Sequence, residues 1–180
     1  MDFAHPASAA ERWRRPREHP IDTREFQAMF GDGVVRVLLN WQRLREPEFC
    51  VRQSFSRSVE HLGNLFTVWY SGADGRAVDW SEEGARPMRV REAAANERSW
   101  STRRAGQLAD LEERFRREEL PVQLVLPAYA VGGDDLVIID GTHRSVAAYR
   151  ADVPVRLMLV GLHGPLDADV LPDLRHHLGA

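Results

Sequence analysis

The residues from Leu136 to Tyr149 constrain this chain more than any other stretch. Four consecutive apolar residues, Leu136 to Ile139, read as a buried strand. Asp140-Gly141 is turn chemistry, because glycine reaches the left-handed backbone region and aspartate bonds its own turn. A helix follows from Thr142 to Arg150, with Val146, Ala147 and Tyr149 on or near its inner side. Strand, tight turn and helix start bring unpaired backbone N–H groups and the positive end of the helix dipole to one point. A phosphate or other small anion suits that point, and His143 and Arg144 stand at it. The same turn has a plainer reading, in which Asp140 or Thr142 only caps the helix.

The rest of the chain supplies alternating elements. Met1 to Pro20 is polar and proline-containing and reads as a flexible arm that Trp13 could pin to the body. From Asp22 the pattern turns helical, with Asp22 or Thr23 as cap and Glu25 in the first turn. Gly31-Asp32-Gly33 breaks that run. The apolar segment from Val34 to Leu44 fits a buried helix or a strand, and Phe49 to His61 is ambiguous. Leu65 to Tyr70 has strand character. Ala73-Asp74-Gly75 signals a turn, and Ala77 to Trp80 a return strand that brings Trp80 near Trp69.

Pro87 to Arg91 reads as a strand, Asn96 to Ser99 as a loop, and Ser101 or Thr102 to Glu119 as a helix with Leu108, Leu111 and Phe115 at helical spacing. Val122 to Leu126 is a strand, Gly132 to Asp135 a turn, and Val155 to Val160 a final strand. His163, set among glycines, reads as a loop residue. Asp169 to His177 reads as a terminal helix with His176 and His177 at a fraying end. The expected class is α/β (α+β), a small mixed sheet with flanking helices. The expected organisation is an arm over residues 1–20, a helix and hairpin extension over 21–85, and a C-terminal core over 86–180.

Composition excludes several chemistries. All 24 basic residues are arginine. There is therefore no lysine for a Schiff base, a P-loop or a kinase-type strand. Phosphate recognition falls to arginine, whose planar fork binds two oxygens at once, to backbone N–H groups, or to a metal. Cys50 is the single cysteine, so the chain holds no internal disulfide. No cluster of His, Cys and carboxylates has zinc spacing, and the Gly-x-Ser-x-Gly signature is missing. The net charge of -3 argues against DNA as a partner. Arg103, Arg104, Arg114, Arg116 and Arg117 alternate with acids in the pattern of a solvated, ion-paired helix face. No apolar run reaches membrane-spanning length, and the first residues lack a signal-peptide pattern. The expected location is cytoplasmic.

The strand, the Asp140-Gly141-Thr142-His143-Arg144 turn and the small-residue helix resemble the ParB N-terminal and sulfiredoxin superfamily, over roughly Arg86 to Gly161. The predicted order of elements is also that of this superfamily's core. The resemblance implies that the turn, residues Asp140 to Arg144, binds nucleotide phosphates. Sulfiredoxin carries a catalytic cysteine where this chain has Thr142, and ParB proteins continue into a DNA reader for which few residues remain here. The branch nearest in logic is that of free-amino-acid kinases. It implies ATP or another nucleotide with Mg²⁺, a small-molecule substrate such as an amino acid, and a glutamate base, a position comparable to Glu97. In that branch's turn the histidine precedes the threonine, the reverse of Thr142-His143.

On that expectation Glu97 and His143 are catalytic and Arg144 neutralises the transferring group. Asp140 or Glu97 would touch the metal ion, and Arg98, Arg103 and Arg104 would reach the substrate. The alternative is a nucleotide-binding regulator of the ParB type that works through a protein or DNA partner. A homodimer stays open under both.

Overall fold

The computed structural model describes residues 19–31, 38–118 and 120–178. Trp13, the arginines Arg12, Arg14, Arg15 and Arg17 of the arm, and Val34 to Val37 lie outside the described residues. The elements are β1 (His19–Ile21), α1 (Thr23–Phe30), β2 (Cys50–Ser56), α2 (Val59–Asn64), β3 (Phe66–Ser71), β4 (Ala77–Val78), β5 (Arg86–Arg89), α3 (Val90–Ala95), α4 (Thr102–Arg117), β6 (Val122–Gly132), β7 (Asp135–Ile138), α5 (Thr142–Ala151) and β8 (Val155–His163). Short 3-10 turns stand at Arg43–Arg45, Glu97–Ser99 and Pro172–His177. The class is α/β, as expected.

One mixed sheet holds the strands in the order β1-β2-β8-β6-β7-β3-β4, with β5 on the other edge of β3. The pairs β6–β8 and β7–β3 are parallel and the others antiparallel. The segments 21–85 and 86–180 thus contribute strands to the same sheet. Alternation along β6 and β8 sorts side chains to two faces. Leu124, Leu126, Leu157 and Leu159 point to the core under α2 to α5. Tyr129, Val131, Val160 and Leu162 point to a second core under α1 and the C-terminal segment. Leu126 is fully buried, and trimming such a residue to alanine costs about 2–5 kcal/mol.

Local chemistry explains most element boundaries. Asp22 caps α1 by accepting from the Arg24 N–H at 2.8 Å, and Ser101 caps α4 by accepting from Arg104 at 3.2 Å. On α4 the expected ion pairs are present, Arg116 with Glu112, Arg114 with Glu118 and Arg117 with Glu113. Several expectations need correction. Phe49 to His61 resolves into β2 and the start of α2. Leu38 to Arg45 is a turn and a 3-10 turn, because Asn40 draws the chain inward by donating its side-chain amide to the Asp169 carbonyl. The expected strand from Pro87 ends at Arg89 and the expected loop from Asn96 is a 3-10 turn over Glu97–Ser99; between them stands the unforeseen helix α3, whose Glu92 accepts from the Arg89 N–H at 2.8 Å. His163 belongs to β8, paired with Cys50.

Trp69 and Trp80 do not meet, because strand alternation and the C-terminal segment claim them separately. Trp69 faces α5, whereas Trp80 is held by Arg175 and His176. The terminal turn does not fray either. His177 is buried edge-on against Phe66, and Tyr70 donates to Asp173 at 2.6 Å. Among the described residues, no helix is long and apolar enough to cross a membrane.

Candidate functional site

β7 delivers the chain to α5 through Ile139, whose N–H donates to the Pro127 carbonyl at 2.9 Å. The cap of α5 is neither Asp140 nor Thr142 but Gly141, at φ 87°, and no side chain caps the helix. Glycine is required here twice over. The left-handed backbone excludes most side chains, and a Cβ would land 2.7 Å from Leu126 Cδ2. The first intrahelical bond runs from the Ser145 N–H to the Gly141 carbonyl at 2.9 Å. The N–H groups of Thr142, His143 and Arg144 precede that ladder and have no backbone or side-chain acceptor among the described residues.

Two hydroxyls add to this. Thr142 Oγ1 and Ser145 Oγ are buried without a hydrogen-bond partner among the described residues. Thr142 is 5% exposed and Ser145 0%. An unmet buried hydroxyl costs about 1–3 kcal/mol, and here two lie in one helical turn. Arg144 adds a cation. Its guanidinium folds back over Gly141, 3.7 Å from Asp140 Oδ2. A positive charge at a helix N-terminus opposes the dipole by about 0.3–1 kcal/mol. The long, half-exposed contact to Asp140 offsets little of that. An anion docked against the turn meets the N–H donors and the Arg144 guanidinium together, next to the buried Thr142.

His143 faces sideways. Its ring stands edge-on to Trp69, with centroids 4.9 Å apart. Arg104 covers the Trp69 ring at 4.1 Å and donates to the Ser99 carbonyl at 2.9 Å. Burial holds the His143 imidazole below its usual pKa, the Arg104 charge adds to that, and Asp140 opposes it. His143 is therefore neutral at pH 7, with one ring nitrogen left to donate and one to accept. Burial also lowers the Arg104 pKa from its usual value.

The structure thus brings Asp140, Gly141, Thr142, His143 and Arg144 together, and joins Arg104 to them through Trp69. Glu97 is placed elsewhere. Its carboxylate is 69% exposed and accepts from Arg150 Nη1 at 3.2 Å. Arg150 lies seven residues past His143, about 10 Å further along the helix axis. Arg98 lines an open cleft of about 760 Å³ with Asp74, Arg76 and Ser101, and Arg103 is exposed on α4. Among the described residues no group of three potential metal ligands forms. Asp140 is the carboxylate within the turn, and Mg²⁺ carried on nucleotide phosphates needs only one or two such ligands.

Trp69 is the site residue that sequence reasoning put in the wrong company; its strand character is legible, but not its neighbours His143 on α5 and Arg104 on α4. No family model, curated protein or solved structure matches the chain.

Proposed function

We propose that this chain binds the phosphates of a nucleotide at the start of α5 and acts as a nucleotide-binding module. The observation that carries this is the uncapped first turn, where the buried Thr142 hydroxyl and the Arg144 guanidinium meet unpaired N–H groups. Each of these features costs stability in the free protein, and one bound phosphate would offset all of them. The likeness of the turn to the ParB and sulfiredoxin superfamily supports the same ligand.

Phosphoryl transfer to a small metabolite is the second reading, and Asp140 favours it. It is a carboxylate inside the turn, able to orient a hydroxyl or to touch Mg²⁺ on the phosphates. Glu97, held by Arg150, is not at that point. A catalytic role for it needs Arg150 to release it.

Thermal melts with ATP, ADP, CTP and GTP, each with and without Mg²⁺, test the binding. Ligand at 100 times Kd adds about 2.7 kcal/mol to the folded state, a rise of several degrees in Tm. Arg144→Ala and Thr142→Val should abolish that rise while the unliganded protein stays folded. No rise with any nucleotide, or a full rise in Arg144→Ala, would overturn the proposal. Release of ADP from ATP in the presence of free amino acids separates transfer from binding alone.

A further inference from the structure

On the face of the sheet opposite α2 to α5, α1 lies against the second core through Phe26 and Phe30. Burying that pair, one helical turn apart, leaves Thr23, Arg24 and Gln27 together on one flank of the helix. That flank meets the segment over residues 40–46. Asn40 fixes the segment: its side-chain oxygen accepts from the N–H groups of Gln42 at 3.2 Å and Arg43 at 3.3 Å, while its amide donates to the Asp169 carbonyl at 3.1 Å. Leu44 is buried, and Trp41 packs tilted on Phe26 with ring centroids 5.9 Å apart. Between the two pieces opens a cleft of about 390 Å³, lined by Thr23, Arg24, Gln27, Trp41, Leu44 and Arg45. Small-molecule sites have volumes of about 300–1,000 Å³.

The cleft joins an apolar floor, Trp41 and Leu44, to a cationic rim. Arg24 and Arg45 are exposed, and neither guanidinium has an ion-pair or hydrogen-bond partner among the described residues. The carboxylates nearby are already engaged. Asp22 accepts from the Arg24 N–H at 2.8 Å as the cap of α1. Glu46, Glu48 and Asp167 all pair with Arg43. Two residues apart in one turn, Arg43 holds three carboxylates and Arg45 none. No acid lines the cleft. Two like charges thus border one space without a counter-charge, in a chain whose net charge is -3. Their mutual repulsion is relieved by an anion placed between them.

We propose that this cleft is a further ligand site and that it takes a small aromatic anion, a flat ring bearing a carboxylate or a phosphate. The ring lies against Trp41 and Leu44, where the indole offers an apolar π surface. The anionic group lies between Arg24 and Arg45, whose planar forks match two oxygens of either group. The Gln27 amide, without a hydrogen-bond partner among the described residues, serves a polar substituent on the ring. The proposal stands apart from the nucleotide-binding reading, because α1 covers the second core and α5 the first, on opposite faces of the sheet.

Proton–nitrogen NMR of the full chain tests this through the Trp41 indole signal, identified by its loss in Trp41→Phe. Benzoate and phenyl phosphate are the probes. Benzyl alcohol keeps the ring without the charge, and acetate and inorganic phosphate keep the charge without the ring. Expected is a saturable shift with benzoate, phenyl phosphate or both, and binding of the three controls weaker by about 10-fold or more. The tighter of the two probes identifies the anionic group. Arg24→Ala and Arg45→Ala should each weaken that probe about 10-fold and leave the melting temperature unchanged, since both residues are exposed and unpaired. Arg45→Lys, which keeps the charge without the fork, should fall between. Arg144→Ala should bind the probe as the wild-type chain does. The proposal is overturned if no shift saturates below about 10 mM, if benzyl alcohol binds as tightly as the aromatic anions, or if both Arg24→Ala and Arg45→Ala bind unchanged. Loss of the shift in Arg144→Ala would overturn it too, by placing the anion at the α5 turn.

Discussion

The two ends of α5 carry one arginine each, and the two are used in opposite ways. Arg150 sits in the last turn, where a cation favours the helix dipole. Its Nε donates to Glu112 at 2.5 Å, its Nη1 to the Ala94 carbonyl at 2.9 Å and to Glu97, and it lies over Trp100 at 4.7 Å. Arg144 sits in the first turn, where the dipole opposes it, beside one distant carboxylate and two unmet hydroxyls. The C-terminal end is finished by the protein's own groups. At the N-terminal end, among the described residues, donors and hydroxyls are left unmet at a cost to stability, which is what the proposed phosphate site requires.

The largest expected effect breaks the finished end. Arg150→Ala leaves Glu112, whose side chain is 9% exposed, with only the surface residue Arg116 as a partner. Losing one member of a buried pair costs about 3–5 kcal/mol, and partial exposure of Arg150 brings the expectation to about 3. Arg144→Ala should leave urea stability unchanged or raise it by less than about 1 kcal/mol, since it removes a charge that the dipole opposes. Nucleotide binding should show the reverse order, lost in Arg144→Ala and kept in folded Arg150→Ala. Equal destabilisation by the two substitutions would erase the contrast between the ends.

A smaller effect is expected at the turn itself. Gly141→Ala introduces a Cβ at φ 87° against Leu126. The left-handed strain and the contact together cost about 2 kcal/mol, tempered by the freedom of the leucine methyl to move. The same change tilts the first N–H groups, so phosphate affinity should fall more than stability does. Chemical denaturation and calorimetry on one preparation would show it. Unchanged binding in the destabilised variant would mean that the turn is only a joint between β7 and α5.

The finished end was the less legible of the two from sequence. The turn announced itself through an apolar run, Asp140-Gly141 and a small-residue helix, all local signals. α4 was equally plain, because Leu108 and Phe115 keep helical spacing and Ser101 offers a cap. α3 escaped notice because six residues carry too little periodic signal, and a helix that short holds only by packing. The partners of Arg150 come from α3, α4 and the 3-10 turn between them, so the network exists only after those pieces fold together. Glu97 illustrates the limit. Its place just before α4 was readable, though in a 3-10 turn rather than a loop, and its attachment to the far end of α5 follows from packing among helices. Trp69 reaches the helix start through the pairing of β3 with the distant strand β7, which no local pattern records.

The smallest expected effect sharpens the contrast through protons. Burial and the nearby Arg104 hold the His143 pKa below its ordinary value, and burial does the same for His61 and His177. Below about pH 6.5 the unfolded chain takes up protons at these histidines that the folded chain refuses. Their contribution to stability is therefore fully present above that pH and is lost as pH falls through the lowered folded values. At His143 the helix dipole works in the same direction, since an imidazolium in the first turn would add a second cation beside Arg144. His143→Gln should flatten the fall in urea midpoint between pH 7.5 and pH 5.5 (about one part in three, if the three histidines contribute alike). A bound phosphate reverses the local field and favours the imidazolium, so saturating nucleotide should flatten the wild-type curve and leave that of His143→Gln less changed. Identical slopes in the two proteins without ligand would show that the start of α5 does not repel a proton as its charges require.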